Sequence, residues 1–258
     1  MEKLLKKYDL TRDEILKVKK ESKIKNSDIL KDKINEIKKC LNLTDEDMKE
    51  ILVKFPNLLT YSTEMITKKQ EEFNENLGFS TEEFKTLIVR APETISYGIQ
   101  AIYNKSKFLN DKIGLTKNEF KSMILKHPAI LGYSKESLNK KINLFLNNGF
   151  ERKVVINNPM LFSLSTSSFV TRLAICKYFH ISMNAFIQKK FFMENESKLY
   201  SNLMYLKEKN LVYSRYNLIT RKLPKSNNVY TLYPFDKESK KKMFFYSDIY
   251  DENGNEIK

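Results

Sequence analysis

Apolar residues recur along the chain at the three-and-four spacing of a helix, and the whole arrangement returns every 36 residues. Three units follow one another at 27–62, 63–98 and 99–134, then a shortened one at 135–165 and a fifth from 166. Each opens with a stripe at its fourth, eighth, eleventh and fifteenth positions: Leu30, Ile34, Ile37 and Leu41, then Ile66, Gln70, Phe73 and Leu77, then Ile102, Ser106, Leu109 and Ile113. A second stripe follows, with Met48, Ile51, Leu52 and Phe55, then Phe84, Leu87, Ile88 and Ala91, then Phe120, Met123, Ile124 and His127. The pattern predicts two amphipathic helices per unit, and a period of this length marks stacked helical repeats.

The residues between the stripes predict where the helices start and stop. "NLT", "GFS" and "GLT" link the two helices, with Gly78 and Gly114 placed where a helix ends in positive φ. Ser80 with Glu83 and Thr116 with Glu119 read as capping boxes, and Thr44 with Asp47 as an imperfect one. Pro56, Pro92 and Pro128 cut the second helix, because proline lacks an N–H and disfavours helical geometry at the residue before it. The apolar residues after each proline and Tyr61, Tyr97 and Tyr133 predict a short inward turn. Ser62 and Ser134 then cap the next helix. Each unit reads as a triangle of two helices and a short third segment.

The same phase extends to both ends. Thr11 and Glu14 indicate a half unit before the first, Pro159 ends the shortened unit, and Pro224 stands about two degenerate units further on. The expected organisation is an all-α repeat solenoid over 1–230, followed by an irregular tail at 231–258 in which "ENGN" suggests a turn or small hairpin.

Composition narrows the function. Two cysteines and two histidines give neither a disulfide framework nor a metal-ligand spacing, and there is no glycine-rich phosphate loop. Paired acids such as Glu82 and Glu83 sit in first helical turns, where they serve caps. No enzyme, cofactor or metal is expected. There is no apolar run long enough for a membrane span, and the N-terminus has no targeting pattern, which leaves the compartment as cytoplasm or nucleoid, or an organelle if a leader has been removed. The formal net charge of +14 lies entirely beyond residue 98: residues 1–98 hold 19 basic and 19 acidic side chains, and 99–258 hold 27 and 13. That asymmetry points to a polyanionic partner.

The segments "KKQEEFNENLGFSTEEFKTLIVRAP" and "NKSKFLNDKIGLTKNEFKSMILKHP" resemble the repeat of the mitochondrial transcription termination factor (mTERF) family. The likeness lies in a basic residue in the first helix, a Leu-Gly link, and a second helix closed by a basic residue, one arbitrary residue and proline. It is clear over 27–182 and weaker over about 8–230. It implies a superhelical solenoid with a basic inner groove that holds nucleic acid, usually duplex DNA and in some members RNA.

Two rows of cations recur at fixed phase. The seventh position is basic in five units, as Lys33, Lys69, Lys105, Lys141 and Arg172, beside the apolar stripe. Stacking would align these into a phosphate-tracking ladder. The other reading is that each stem lies over the core and its head meets carbonyls at a neighbouring helix end. A second row, two residues before the prolines, is Lys54, Arg90, Lys126 and, at the far end, Lys222 beside Arg221, with Asn157 in the short unit. Here phosphate contact competes with a simple helix-dipole role. The run Lys240, Lys241, Lys242 reads as a solvated face. His127 and the three tyrosines are expected in the core, although the tyrosines could instead stack on bases. The expectation is a monomeric protein that binds double-stranded DNA and regulates or terminates transcription by occupancy. RNA binding or a protein-binding helical scaffold is the alternative.

Overall fold

In the computed structural model the described residues are 1–181, 194–210 and 232–244, with side chains described to 240. Among them are thirteen α-helices and four 3-10 turns, and no strand. They fall into two compact parts, Met1–Tyr133 and Ser134–Lys258.

The first part holds α1 (Glu2–Lys6), α2 (Arg12–Ser22) and three repeats. The first repeat is α3 (Ser27–Leu41), α4 (Asp45–Lys54) and the 3-10 turn η1 (Pro56–Thr60). The second is α5 (Thr63–Leu77), α6 (Thr81–Arg90) and η2 (Pro92–Ser96), and the third is α7 (Ile99–Ile113), α8 (Lys117–Lys126) and η3 (Pro128–Gly132). The first helices stack as one row, α3 on α5 on α7, and the second helices as another, α2 on α4 on α6 on α8. The predicted half unit is therefore α2, which starts the second row.

Local chemistry sets each boundary. Capping boxes with both reciprocal bonds open α2 (Thr11 and Glu14), α4 (Thr44 and Asp47), α6 (Ser80 and Glu83) and α8 (Thr116 and Glu119). Asp47 thus completes its box despite its short side chain, with the Thr44 N–H donating to its carboxylate at 3.0 Å. Asn42, Gly78 and Gly114 end the first helices at φ of 50°, 69° and 60°. The prolines stand at the first position of each 3-10 turn, where a missing N–H costs nothing. Inside each triangle the predicted stripes are buried except at Phe55, Gln70, Ser106 and His127, which are half-buried. In the second repeat Phe73 meets Phe79 and Phe84 edge-on at 5.3 Å, joining first helix, link and second helix.

The second part holds α9 (Lys135–Asn147), α10 (Arg152–Asn157), η4 (Pro159–Ser163), α11 (Thr166–Tyr178), α12 (Glu196–Glu208) and α13 (Lys237–Phe244). The shortened repeat loses residues from both helices, chiefly the second: α9 has thirteen where the earlier first helices have fifteen, α10 has six where the second helices have ten, and Glu151 before α10 makes no side-chain cap. Aromatic packing compensates, with Phe145 against Phe150, Phe162 and Phe169 at 4.9–5.8 Å. The sequence placed residues from 231 in an irregular tail, but 237–244 are helical and α13 packs on α11. The segment leading into it is anchored on α12, where Ser201 Oγ donates to the Tyr233 carbonyl at 2.6 Å and the Tyr200 and Phe235 rings lie 5.0 Å apart. The degenerate units around Pro224 and the turn at "ENGN" lie outside the described residues.

One core position breaks the pattern. Leu58 and Ile130 are fully buried in η1 and η3, and η2 has Thr94 there, 1% exposed, with a hydroxyl that finds no partner among the described residues. An unmatched buried hydroxyl is destabilising. Thr94→Val should raise the unfolding free energy by about 1 kcal/mol, read from the urea midpoint at unchanged slope.

The capping carboxylates tie stability to pH. Hydrogen bonds from the N-cap backbone N–H groups hold Glu14, Asp47 and Glu83 below the usual carboxylate range. A carboxylate with a depressed folded pKa stabilises above its unfolded value, and that stability is lost as pH falls through the folded one. Urea midpoints should therefore hold from pH 7 to about 5 and decline below about 4. Replacing the three carboxylates by amides should flatten the decline.

Candidate nucleic-acid interface

The seventh-position cations sit beside the apolar stripe on the first helices, and the heads of Lys69, Lys105 and Lys141 reach the 3-10 turn of their own repeat. Lys69 Nζ donates to the Tyr97 carbonyl at 3.2 Å and pairs with Glu72 at 2.9 Å. Lys105 Nζ donates to the carbonyls of Ile130, Leu131 and Tyr133 at 3.2, 2.5 and 2.6 Å, and Lys141 Nζ donates to that of Phe162. Arg172, 7% exposed, donates to the carbonyls of Glu194 and Ser168 and pairs with Glu196 at 3.1 Å. Lys33 pairs with Glu36 at 3.5 Å. Burial lowers the Lys141 pKa, and also that of Arg172, where Glu196 opposes the shift. In three of the five repeats, at Lys69, Lys105 and Lys141, the cation thus closes its own triangle by donating to carbonyls of the 3-10 turn or the residue that ends it, which is the second of the two sequence readings.

The helix-end row joins one repeat to the next. Lys17 on α2 donates to the carbonyls of Val53 and Lys54 at the end of α4, at 2.7 and 3.3 Å. Lys54 donates to those of Val89 and Arg90 at the end of α6, at 3.1 and 3.4 Å, and Arg90 to that of Leu125 at the end of α8, at 2.5 Å. Each cation therefore sits at the negative end of the following helix rather than only its own. Lys54, Arg90 and Lys126 are nevertheless exposed, and Lys126 makes no hydrogen bond or ion pair among the described residues. Asn157 ends α10 and is also exposed.

Sequence reasoning missed a third row, at the fifth position of the second helices: Lys49, Lys85 and Lys121, again 36 residues apart. These reach back one repeat. Lys49 pairs with Asp9 at 3.8 Å. Lys85 donates to the Asn42 carbonyl at 2.6 Å and lies 3.6 Å from Asp47, and Lys121 donates to the Gly78 carbonyl at 2.9 Å and to Glu83 at 3.0 Å. Asp9, Asn42 and Gly78 all have positive φ, so each lysine meets a left-handed residue, which for Lys85 and Lys121 is the one that ends a first-row helix. The signal was available as the same periodicity that revealed the other rows.

The remaining candidates divide. Arg221 and Lys222 lie outside the described residues, as do the side chains of Lys241 and Lys242, whereas Lys240 is exposed with its ammonium 5.4 Å from the Phe235 ring. His127 and the tyrosines, expected in the core, are half-buried at its edge. His127 Nε2 lies 3.3 Å from Tyr133 Oη, and a Cβ at Gly132 would come within 3.2 Å of Tyr97 Oη, so glycine admits the tyrosine of the preceding repeat. Among the described residues no three His, Cys, Asp or Glu side chains could hold a metal ion, and no helix is long and apolar enough to cross a membrane.

Triangular repeats of two helices and a proline-led 3-10 turn, many of their corners joined by cations on carbonyls, define a helical-repeat protein. The family model for mTERF matches residues 3–195, and the chain belongs to the mTERF family. A comparison with curated proteins finds no match.

The division between cations spent on the fold and cations left over is measurable. Lys105→Met keeps the aliphatic stem but takes the donor from the Leu131 and Tyr133 carbonyls, while that of Ile130 keeps the Tyr133 N–H, and should cost about 2 kcal/mol in urea unfolding. Lys126→Met should leave stability within about 0.5 kcal/mol of the parent.

Proposed function

We propose that the protein binds double-stranded DNA along its phosphate backbone and regulates or terminates transcription by occupying the duplex. The observation that carries this reading is Lys126, the exposed end of a helix-end row whose earlier members Lys54 and Arg90 are engaged by the following helix, and which itself makes no hydrogen bond or ion pair among the described residues. An exposed cation that is left over in this way suits a phosphate backbone and carries little base information. Lys69, Lys105 and Lys141 are engaged in holding the 3-10 turns of their own repeats. A duplex is favoured over a single strand because the repeated tyrosines are half-buried and packed on protein, whereas single-strand binders present aromatic faces to bases.

The test is a gel-shift titration of the purified chain with labelled duplex DNA, duplex RNA and single-stranded DNA at several salt concentrations. Duplex DNA should bind most tightly, with log affinity falling linearly in log salt. Preference for RNA would move the assignment within the family. Binding that ignores salt, or none at all, would favour a helical scaffold for a protein partner.

A further inference from the structure

The exposed charge of the first part changes sign between its second and third repeats. In the first repeat, Asp28, Asp32, Glu36, Asp45, Glu46 and Glu50 face solvent against Lys31, Lys39 and Lys54. In the second, Glu64, Glu71, Glu75, Glu82 and Glu93 face solvent against Lys68 and Arg90. In the third, only Asp111 stands against Lys107, Lys112, Lys117 and Lys126. Exposed formal charge is therefore −3, −3 and +3 in repeats of equal length and near-identical build. The step is already present in the sequence, where the three repeats carry formal charges of −1, −3 and +4; burial keeps it and makes the first repeat as negative outside as the second.

Single positions show how the change is made. On the outer face of the second helices, one residue four before the helix-end cation is Glu50, then Thr86, then Ser122, and the residue four before that is Glu46, then Glu82, then Asn118. Lys54 is thus followed round its own helix by two carboxylates and is paired with Glu50 at 2.6 Å, whereas Lys126 shares its face with neutral side chains. The backbone geometry of α4, α6 and α8 is the same, with ten residues in each and a capping box at each start. What differs is only what the shared frame presents to a ligand.

Resting on the nucleic-acid-binding reading, we infer that the footprint of the first part is one-ended: the third repeat, α7 and α8, contacts the phosphate backbone, and the first two repeats are held off it by their own carboxylates. Like charges facing a polyanion at about a Debye length or less oppose approach, and counterion release is available only where cations are unpaired. The helix-end row is consequently not uniform in use. Lys54 and Arg90 serve chiefly as links between repeats, and Lys126 as a contact.

Three variants of the full chain test this against the parent in duplex DNA binding across salt concentrations, with thermal melting as the control for folding. The quadruple Lys107→Gln, Lys112→Gln, Lys117→Gln, Lys126→Gln should melt like the parent, since none of the four makes a hydrogen bond or ion pair among the described residues, and should lose about 0.9 from the salt slope for each phosphate contact removed. The triple Lys31→Gln, Lys39→Gln, Lys68→Gln should bind with the parent's affinity and slope. The quadruple Glu46→Gln, Glu71→Gln, Glu75→Gln, Glu82→Gln should bind several-fold more tightly at low salt and converge on the parent at high salt. Equal losses from the two lysine variants would overturn the one-ended footprint while leaving nucleic-acid binding intact. So would parental binding by the third-repeat variant, or an acid-free variant no tighter than the parent. A parent chain that binds no nucleic acid in the same assay would instead remove the reading on which the footprint rests.

Discussion

Everything in this fold depends on what becomes of the carbonyl groups at its helix ends. A helix leaves its last carbonyls without intrahelical partners, and a repeat of 36 residues that turns three corners creates such ends continually. Water could satisfy them only where the chain stays open. Here basic side chains from neighbouring elements do so instead, inside a repeat at the 3-10 turn and between repeats at the ends of both helices. The geometry is economical because a lysine stem covers apolar surface on its way to the carbonyl. The same bond therefore closes the triangle, sets the stacking of one triangle on the next, and shields the edge of the core.

Much of the architecture was legible in the sequence because its determinants are local. The apolar stripes, the serine and threonine caps, the left-handed glycines and the prolines each act within a few residues, and each appears where the 36-residue period places it. Thr44 with Asp47 proved a complete capping box, since local backbone geometry brings the shorter carboxylate within reach. The destination of the cations was less legible. A carbonyl acceptor has no side-chain signature, so nothing in the letters distinguishes Lys105, which donates to three of them, from Lys126, which donates to none among the described residues. Helix α13 was missed for a different reason: "KESKKKMF" has almost no apolar stripe of its own, and its helicity goes with packing on α11.

Net charge is correspondingly a poor guide to the surface of such a protein. A cation that holds helix-end carbonyls still counts in the sum, yet its field is partly cancelled by the dipole it faces. The first two repeats contain many lysines and still present a negative face, because the acids stand outside and a good share of the lysines stand inward. Burial sharpens the polarity at its negative end, taking the first repeat from a formal −1 over its whole length to −3 on its exposed surface.

The links between second helices also have a direction. Lys17, Lys54 and Arg90 each give to a carbonyl 35 to 37 residues further along the chain. Donor and acceptor are thus separated by one period, and a segment of that length copied in tandem reproduces the bond at its new junction whatever the point of copying. A copy one residue shorter or longer would turn every subsequent donor by about 100° around its helix and away from its acceptor. Growth and shrinkage of such a chain in evolution are in this sense quantised: whole repeats pass through the fold unnoticed, and fractions of one do not.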